Sequence, residues 1–241
     1  MMANPRTFLV FGGVGGIGGD LVSLLHRHGH TVYATTRTPQ SASGVPIPAD
    51  RLLDVDVLNA ASIAQAVQTA SQERLDGLAY CIGTINLKPL ARTTADDIVN
   101  AMLINTVGAF LAIKEASAVL SKHHGSIVLF SSIAATKGFI NHSAIASAKA
   151  ALEGLARTLA AELAPHVRVN VIAPSLTDTP LARVFTQNAK MSEAIAAMHP
   201  IPRLGIAAEM AKMAAVLLSD DSGWITGQTI HIDGGRSTID T

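Results

Sequence analysis

Three stretches of the chain carry residues whose types and spacing can do chemistry. In VFGGVGGIGGD, residues 10–20, Gly12, Gly16 and Gly18 surround Ile17 at the close of an apolar run. Glycine permits a tight turn and lets a ligand approach the backbone closely. A helix beginning there offers free N–H groups and its positive dipole end to a pyrophosphate. NHSAIASAKAA, residues 141–151, places Lys149 early in a helical pattern with Ile145 four residues before it. SIVLFSSIAA brings an apolar run out at Ser132, and INTVGAF carries Asn105. An ammonium, a hydroxyl and an amide can together hold and polarise an oxygen; the isoleucine among them has no proton to give.

Taken singly, each of these residues also suits a plain structural role. A lysine on an alanine-rich helix is usually solvated. A serine at a strand end and an asparagine in a helix often bond only to backbone. Their joint placement therefore depends on the elements around them.

Those elements alternate. Short apolar runs recur at TFLVF (7–11), TVYATT (31–36), LDGLAYCI (75–82), SIVLFSS (126–132), VRVNVIAP (167–174) and QTIHID (228–233), with RLLDVDV (51–57) as a weaker seventh. Most are continuous in hydrophobicity, the pattern of strands covered on both faces of a parallel sheet. The segments between them have helical spacing. The expectation is an α/β fold: a single Rossmann-type doubly wound parallel sheet of about seven strands, helices on both faces, one domain over residues 1–241. Residues 39–48 read as a loop between layers. Residues 180–200 carry neither a strong strand pattern nor a core-helix pattern, and are expected to cover a crevice at the carboxyl ends of the strands.

Composition narrows the partners. Acidic and basic residues balance at 18 each, so there is no electrostatic case for nucleic acid or an anionic membrane. Cys81 is the only cysteine, which excludes an internal disulfide and a cysteine-based zinc site, and no metal is expected. The cytoplasm is the simplest compartment. No stretch reads as a membrane span or a signal peptide.

At the end of the second run, TTRTP has no carboxylate of the kind that bonds a ribose 2′-hydroxyl. Arg37, flanked by Thr36 and Thr38, instead suits a 2′-phosphate. NADP(H) is expected, in preference to NAD(H).

The motifs together resemble the short-chain dehydrogenase/reductase family over nearly the whole chain. The glycine loop is similar to the family's TGxxxGxG, with Phe11 in place of threonine. Asp56-Val57 resembles the pair whose carboxylate meets the adenine amino group. Gly83 closes a segment that is Asn-Asn-Ala-Gly in the family and Tyr80-Cys81-Ile82-Gly83 here. Asn105 matches an active-site asparagine, and Ser132 the serine that holds the substrate oxygen. Pro174 is kept from a Pro-Gly segment beside the nicotinamide, Ser175 replaces its glycine, and Thr179 falls where a threonine meets the carboxamide. The family's Tyr-x-x-x-Lys becomes Ile145-Ala-Ser-Ala-Lys149, in the usual register from Ser132.

The resemblance implies hydride transfer between nicotinamide and a small carbonyl or alcohol, with Lys149 on the nicotinamide ribose. The phenol that would protonate the alkoxide is absent, so carbonyl reduction is expected to be slow or divergent. His142 is a candidate substitute acid, sharing a helix face with Ile145 if the helix reaches it. Ser143 reads better as a helix cap. Two other functions stay open. One is reduction of an activated C=C bond, whose enolate water can protonate. The other is a non-redox role: isomerase, cyclase or cofactor-binding sensor. The resemblance also implies a homo-oligomer, tetramer or dimer, built on two long helices near 96–120 and 146–164.

Overall fold

The computed structural model describes residues 5–37 and 44–239. Thr38, expected beside Arg37, and residues 39–43 of the Pro/Ser-rich loop lie outside them.

The sheet strands fall where the apolar runs are: β1 Thr7–Phe11, β2 Thr31–Thr36, β3 Leu52–Asp54, β4 Gly77–Tyr80, β5 Ser126–Phe130 and β6 Arg168–Pro174. A short pair follows, β7 Thr177–Asp178 and β8 Gly205–Ile206, and the last strand is β9 Thr229–Ile232. The main sheet is seven-stranded and wholly parallel, in the order β3-β2-β1-β4-β5-β6-β9. The small β7–β8 sheet stands apart from it, and nothing in the apolar pattern announced it.

Continuous hydrophobicity has its expected cause. In β1, Leu9 and Phe11 enter one core while Phe8 and Val10 enter the other; in β5, Ile127 and Leu129 part from Val128 and Phe130 in the same way. Both faces are dry, so both alternating sets must be apolar. Each fully buried large apolar side chain contributes about 1.5–3 kcal/mol.

Helices α1 (Gly16–Arg27) and α8 (Ala207–Leu218) cover one face through Leu21, Leu25, Met210 and Leu217. On the other lie α2 (Ala60–Ala70), α4 (Gly108–Lys122) and α5 (Ser143–Leu163), through Ile63, Ile113, Leu120 and Leu152. Capping residues mark several starts. Asn59 accepts from the amides of Ala61 and Ser62 at the head of α2, and Thr94 forms a reciprocal box with Asp97 at the head of α3 (Ala95–Met102).

Two expectations about the helices are corrected. The first concerns the helix expected near 96–120: it is interrupted by a π-turn over Leu103–Val107, with Asn105 inside it. Ala95–Lys122 as a whole is also long and apolar enough to cross a membrane by length and composition, although no such stretch was expected. In the fold its α4 half supplies Ala109, Ala112, Ile113, Ala116 and Leu120 to the core. The second is Ser143, which is the first helical residue rather than the cap. His142 holds the cap position without a side-chain cap bond. The 180–200 segment, expected to carry no strand or core-helix pattern, forms two short helices with no buried residue, α6 Arg183–Thr186 and α7 Ala189–Ala196.

Candidate active site

From β1 the chain builds β2 and β3 to one side and β4 onward to the other. The carboxyl ends of β1 and β4 therefore bound the crevice where such sheets bind ligands. The glycine loop leaves β1 into this crevice. Gly12 has φ of +74°, and a Cβ there would stand 2.9 Å from Ile82 Cγ1. A Cβ on Gly18 would run into the Gly12 carbonyl oxygen. Thr35 ties the loop to β2: its hydroxyl accepts from the Gly12 amide at 3.1 Å, and its carbonyl from the Gly13 amide at 3.1 Å. No side chain caps α1, and no acidic residue stands in its first turn. The amides of Gly16, Ile17 and Gly18 thus face the crevice end without a competing anion, as a pyrophosphate site requires.

Farther along the same sheet edge, Thr36 ends β2 and Arg37 follows it, exposed. Asp56 is exposed beyond β3, its Oδ1 accepting from the Leu58 amide at 3.0 Å. Val57 is buried in the core and offers no polar side-chain atom. These four residues line the edge rather than the reaction cavity.

That cavity, about 370 Å³, opens beyond the ends of β4, β5 and β6. Ile17, Gly83, Ser132, Ile145, Lys149, Pro174 and Thr179 all line it. Seven sequence-derived site residues thus meet at one place. The 180–200 segment contributes Leu181, Ala182, Phe185 and Ile195 to its wall. Ser132 Oγ accepts from the Ala134 amide at 3.2 Å. Ile145 is 6 % exposed and presents only hydrocarbon.

Lys149 is buried, and its Nζ donates to the Phe130 carbonyl at 2.6 Å. Burial drives its pKa down to about 8. Behind Gly83, Asn105 is fully buried. Its Nδ2 donates to the Ala101 carbonyl at 2.9 Å and to Thr84 Oγ1 at 3.2 Å. Its Oδ1 has no partner, the one such buried side-chain atom among the described residues. A Cβ on Gly83 would lie 3.1 Å from that oxygen and 3.4 Å from Lys149 Nζ. Glycine at 83 therefore leaves room between amide and ammonium, and an orphaned acceptor there is ready for a hydrogen-bonded ligand or water. The π-turn matters here because it widens the helix at the residue whose side chain must turn inward.

His142 lines the cavity too, with Nδ1 2.7 Å from the Ile140 carbonyl oxygen. The helix starts after it, so the shared-face reasoning does not apply, although the cavity still includes it. Tyr80 and Cys81 differ in placement. Tyr80 is core, donating to the Ile104 carbonyl at 2.7 Å. Cys81 reaches the cavity, its thiol pushed up to about 12 by burial.

Sequence reasoning missed four residues of this site. Ser131 Oγ donates to Glu153 Oε1 at 2.6 Å, fastening β5 to α5. His199, 4 % exposed, bonds Ser175 Oγ through Nε2 at 2.8 Å. Arg236 comes back from the C-terminal turn to the cavity wall. Of their partners, Ser175 is legible in the sequence as replacing a glycine; His199 and Arg236 come from segments distant in sequence that no local pattern connects to it.

Comparisons with known proteins bear on the family and the fold. The family model described as enoyl-(acyl carrier protein) reductase matches residues 13–237. The chain is 34% identical to the short-chain reductase protein NovJ of Streptomyces niveus, over 98% of this chain and 95% of that one. It is 30% identical to the 3-oxoacyl-[acyl-carrier-protein] reductase FabG of Escherichia coli, over 99% and 100%. Among solved structures, a short-chain type dehydrogenase/reductase from Mycobacterium ulcerans superposes with a TM-score of 0.90 at 32% identity, covering 96% of this chain and 90% of that chain. ElxO with NADP bound superposes with a TM-score of 0.88 at 25% identity, covering 98% and 100%.

Proposed function

Because the chain belongs to the short-chain dehydrogenase/reductase family, we propose that it is an NADP(H)-dependent oxidoreductase for a small apolar carbonyl or alcohol substrate, working without a phenolic acid at position 145. One observation carries this reading. The polar scaffold around the missing phenol is intact: Lys149 Nζ and the unpartnered Asn105 Oδ1 flank Gly83 in the crevice that the glycine loop enters.

The residues present fit the dinucleotide. The first-turn amides of α1 would hold the pyrophosphate, and Asp56 the adenine amino group. Arg37 with Thr36 would take a 2′-phosphate, and Lys149 the nicotinamide ribose. Pro174 and Thr179 would bound the nicotinamide. When bound, the cofactor supplies or accepts the hydride. Ser132 holds the substrate oxygen. Ile145 excludes water on its side of the cavity and moves no proton. General acid catalysis typically contributes about 10²–10⁴-fold, so this much of the rate on simple ketones depends on another donor, a water or His142.

A second reading is supported by the same hydrocarbon at 145 and by the description of the matching family model. In it the substrate is an activated alkene, whose enolate water can protonate. NADPH consumption with enones but not with isolated ketones selects this second reading. Calorimetry with NADPH and NADH tests the shared premise. Micromolar NADPH binding is expected, and no heat from either coenzyme sinks both readings.

A further inference from the structure

The C-terminal turn brings to the cavity a cation that the proposed reaction does not use. After β9 the chain reverses through Gly234 and Gly235, at φ of +62° and +87°, and returns Arg236 to the wall. Its guanidinium lies over the Phe139 ring, 5.1 Å from the centroid. Nη1 is 3.4 Å from Ser175 Oγ and Nη2 is 3.2 Å from Met198 Sδ. A hydroxyl at the limit of bonding range, a thioether and an aromatic face are weak compensation for a group with five donors.

Asp233 acts on Arg236 only through space, and its hydrogen bonds go elsewhere. Asp233 accepts from the amides of Gly235 and Ser237, each at 2.9 Å, and from the Ser237 hydroxyl. No ion pair among the described residues includes Arg236. Burial draws its pKa downward.

Ser175 is held in place behind it. His199 Nδ1 faces the carbonyls of Ile195 and Ala196, at 2.9 and 3.2 Å, and so carries the ring hydrogen in the neutral tautomer. Nε2 then accepts from Ser175, which leaves the Ser175 lone pairs for Arg236. Much of the remaining wall is apolar, including Ile82, Leu87, Ile133, Ile145, Leu181 and Phe185.

We infer that Arg236 anchors an anionic group on the ligand of this cavity, and that the substrate is an apolar carbonyl compound bearing a carboxylate. Lys149, the other cation on this wall, is bonded to the Phe130 carbonyl, which leaves Arg236 as the planar cation to match one carboxylate, gripped through two parallel bonds. The word substrate rests on the oxidoreductase reading; the anion site belongs to the cavity itself.

The test is calorimetry on the full chain, with and without NADPH. The probes are phenylalkanoates of two to five methylenes, each against its methyl ester. The best acid is expected to bind at least about tenfold more tightly than its ester, the factor set by one charge-assisted hydrogen bond. In Arg236→Gln the acid should lose at least about that factor while the ester is unchanged, and Arg236→Lys should keep part of the preference. The ester's affinity reports whether the variant cavity is still formed, and the wild-type comparison stands even if a variant does not fold. Equal affinity for acid and ester, an acid preference that survives in Arg236→Gln, or no binding by either probe overturns the inference. Acid preference without any NADPH binding sinks the oxidoreductase reading alone and leaves the anion site standing.

Discussion

Lys149 donates its ammonium to the carbonyl oxygen of Phe130 at 2.6 Å, joining α5 to the end of the strand that leads to Ser132. The bond is charge-assisted, yet burial still brings the lysine from 10.5 to about 8. The site therefore holds a cation at a cost to the folded state.

This fixes a sign for stability against pH. Below about 8 the lysine is protonated both folded and unfolded, and its penalty is constant. Between about 8 and 10.5 the unfolded chain binds more protons, so stability rises with pH, by about 3 kcal/mol in all. Cys81 opposes this, because its buried thiol ionises later than the unfolded one. The comparison is thus made in a Cys81→Ala background. There, the unfolding free energy of the Lys149 protein minus that of Lys149→Met should climb between pH 8 and 10. A flat difference curve by urea denaturation refutes the assignment.

Restoring the phenol is the direct test of the hydrocarbon at 145. Ile145→Tyr should raise kcat/KM on ketones by about 10²–10⁴-fold, the usual contribution of a positioned general acid. Steady-state NADPH oxidation over a ketone panel measures it. No gain with any ketone, in a variant that still binds NADPH, counts against the carbonyl reading and favours the enone one.

Arg37 should decide between the two coenzymes. It is exposed at the end of β2, on the carboxyl edge. Arg37→Glu should weaken NADPH binding by about 10–100-fold, as loss of a charged phosphate contact implies, and leave NADH within about twofold. Equal losses for both coenzymes would falsify the 2′-phosphate role.

Gly18 tests the loop as a close-approach surface. Gly18→Ala forces a methyl against the Gly12 carbonyl. The expected outcome is about 1–3 kcal/mol of lost stability, the usual cost of overpacking, together with weakened coenzyme binding. Thermal unfolding with and without NADPH reads both, and an unchanged Tm shift on adding NADPH argues against the loop as its cradle.

Leu103, Val107 and Phe110 are 37, 39 and 40 % exposed along one stripe of the long helix. We propose that a second copy of the chain covers them, as the expected homo-oligomer requires. Phe110→Glu should reduce the mass measured by light scattering to that of a smaller species. A wild-type chain that runs as a monomer at micromolar concentration rules the proposal out.

What could be read from residues alone was set by short-range physics. The runs at 7–11 and 126–132 contain the strands Thr7–Phe11 and Ser126–Phe130 because dry faces above and below a strand demand apolar side chains at both parities. The glycine spacing located the loop because only glycine tolerates its backbone and crowding. The step from Ser132 to Lys149 placed both on one cavity because the β5–α5 connection is local in sequence. Tertiary structure alone decided the rest. The π-turn at Asn105, the Ser175–His199 bond and the return of Arg236 depend on segments far apart in the chain meeting at the carboxyl edge. Such contacts come from how layers close over the sheet, and no periodicity, cap or motif in the segments themselves records where that closure brings them.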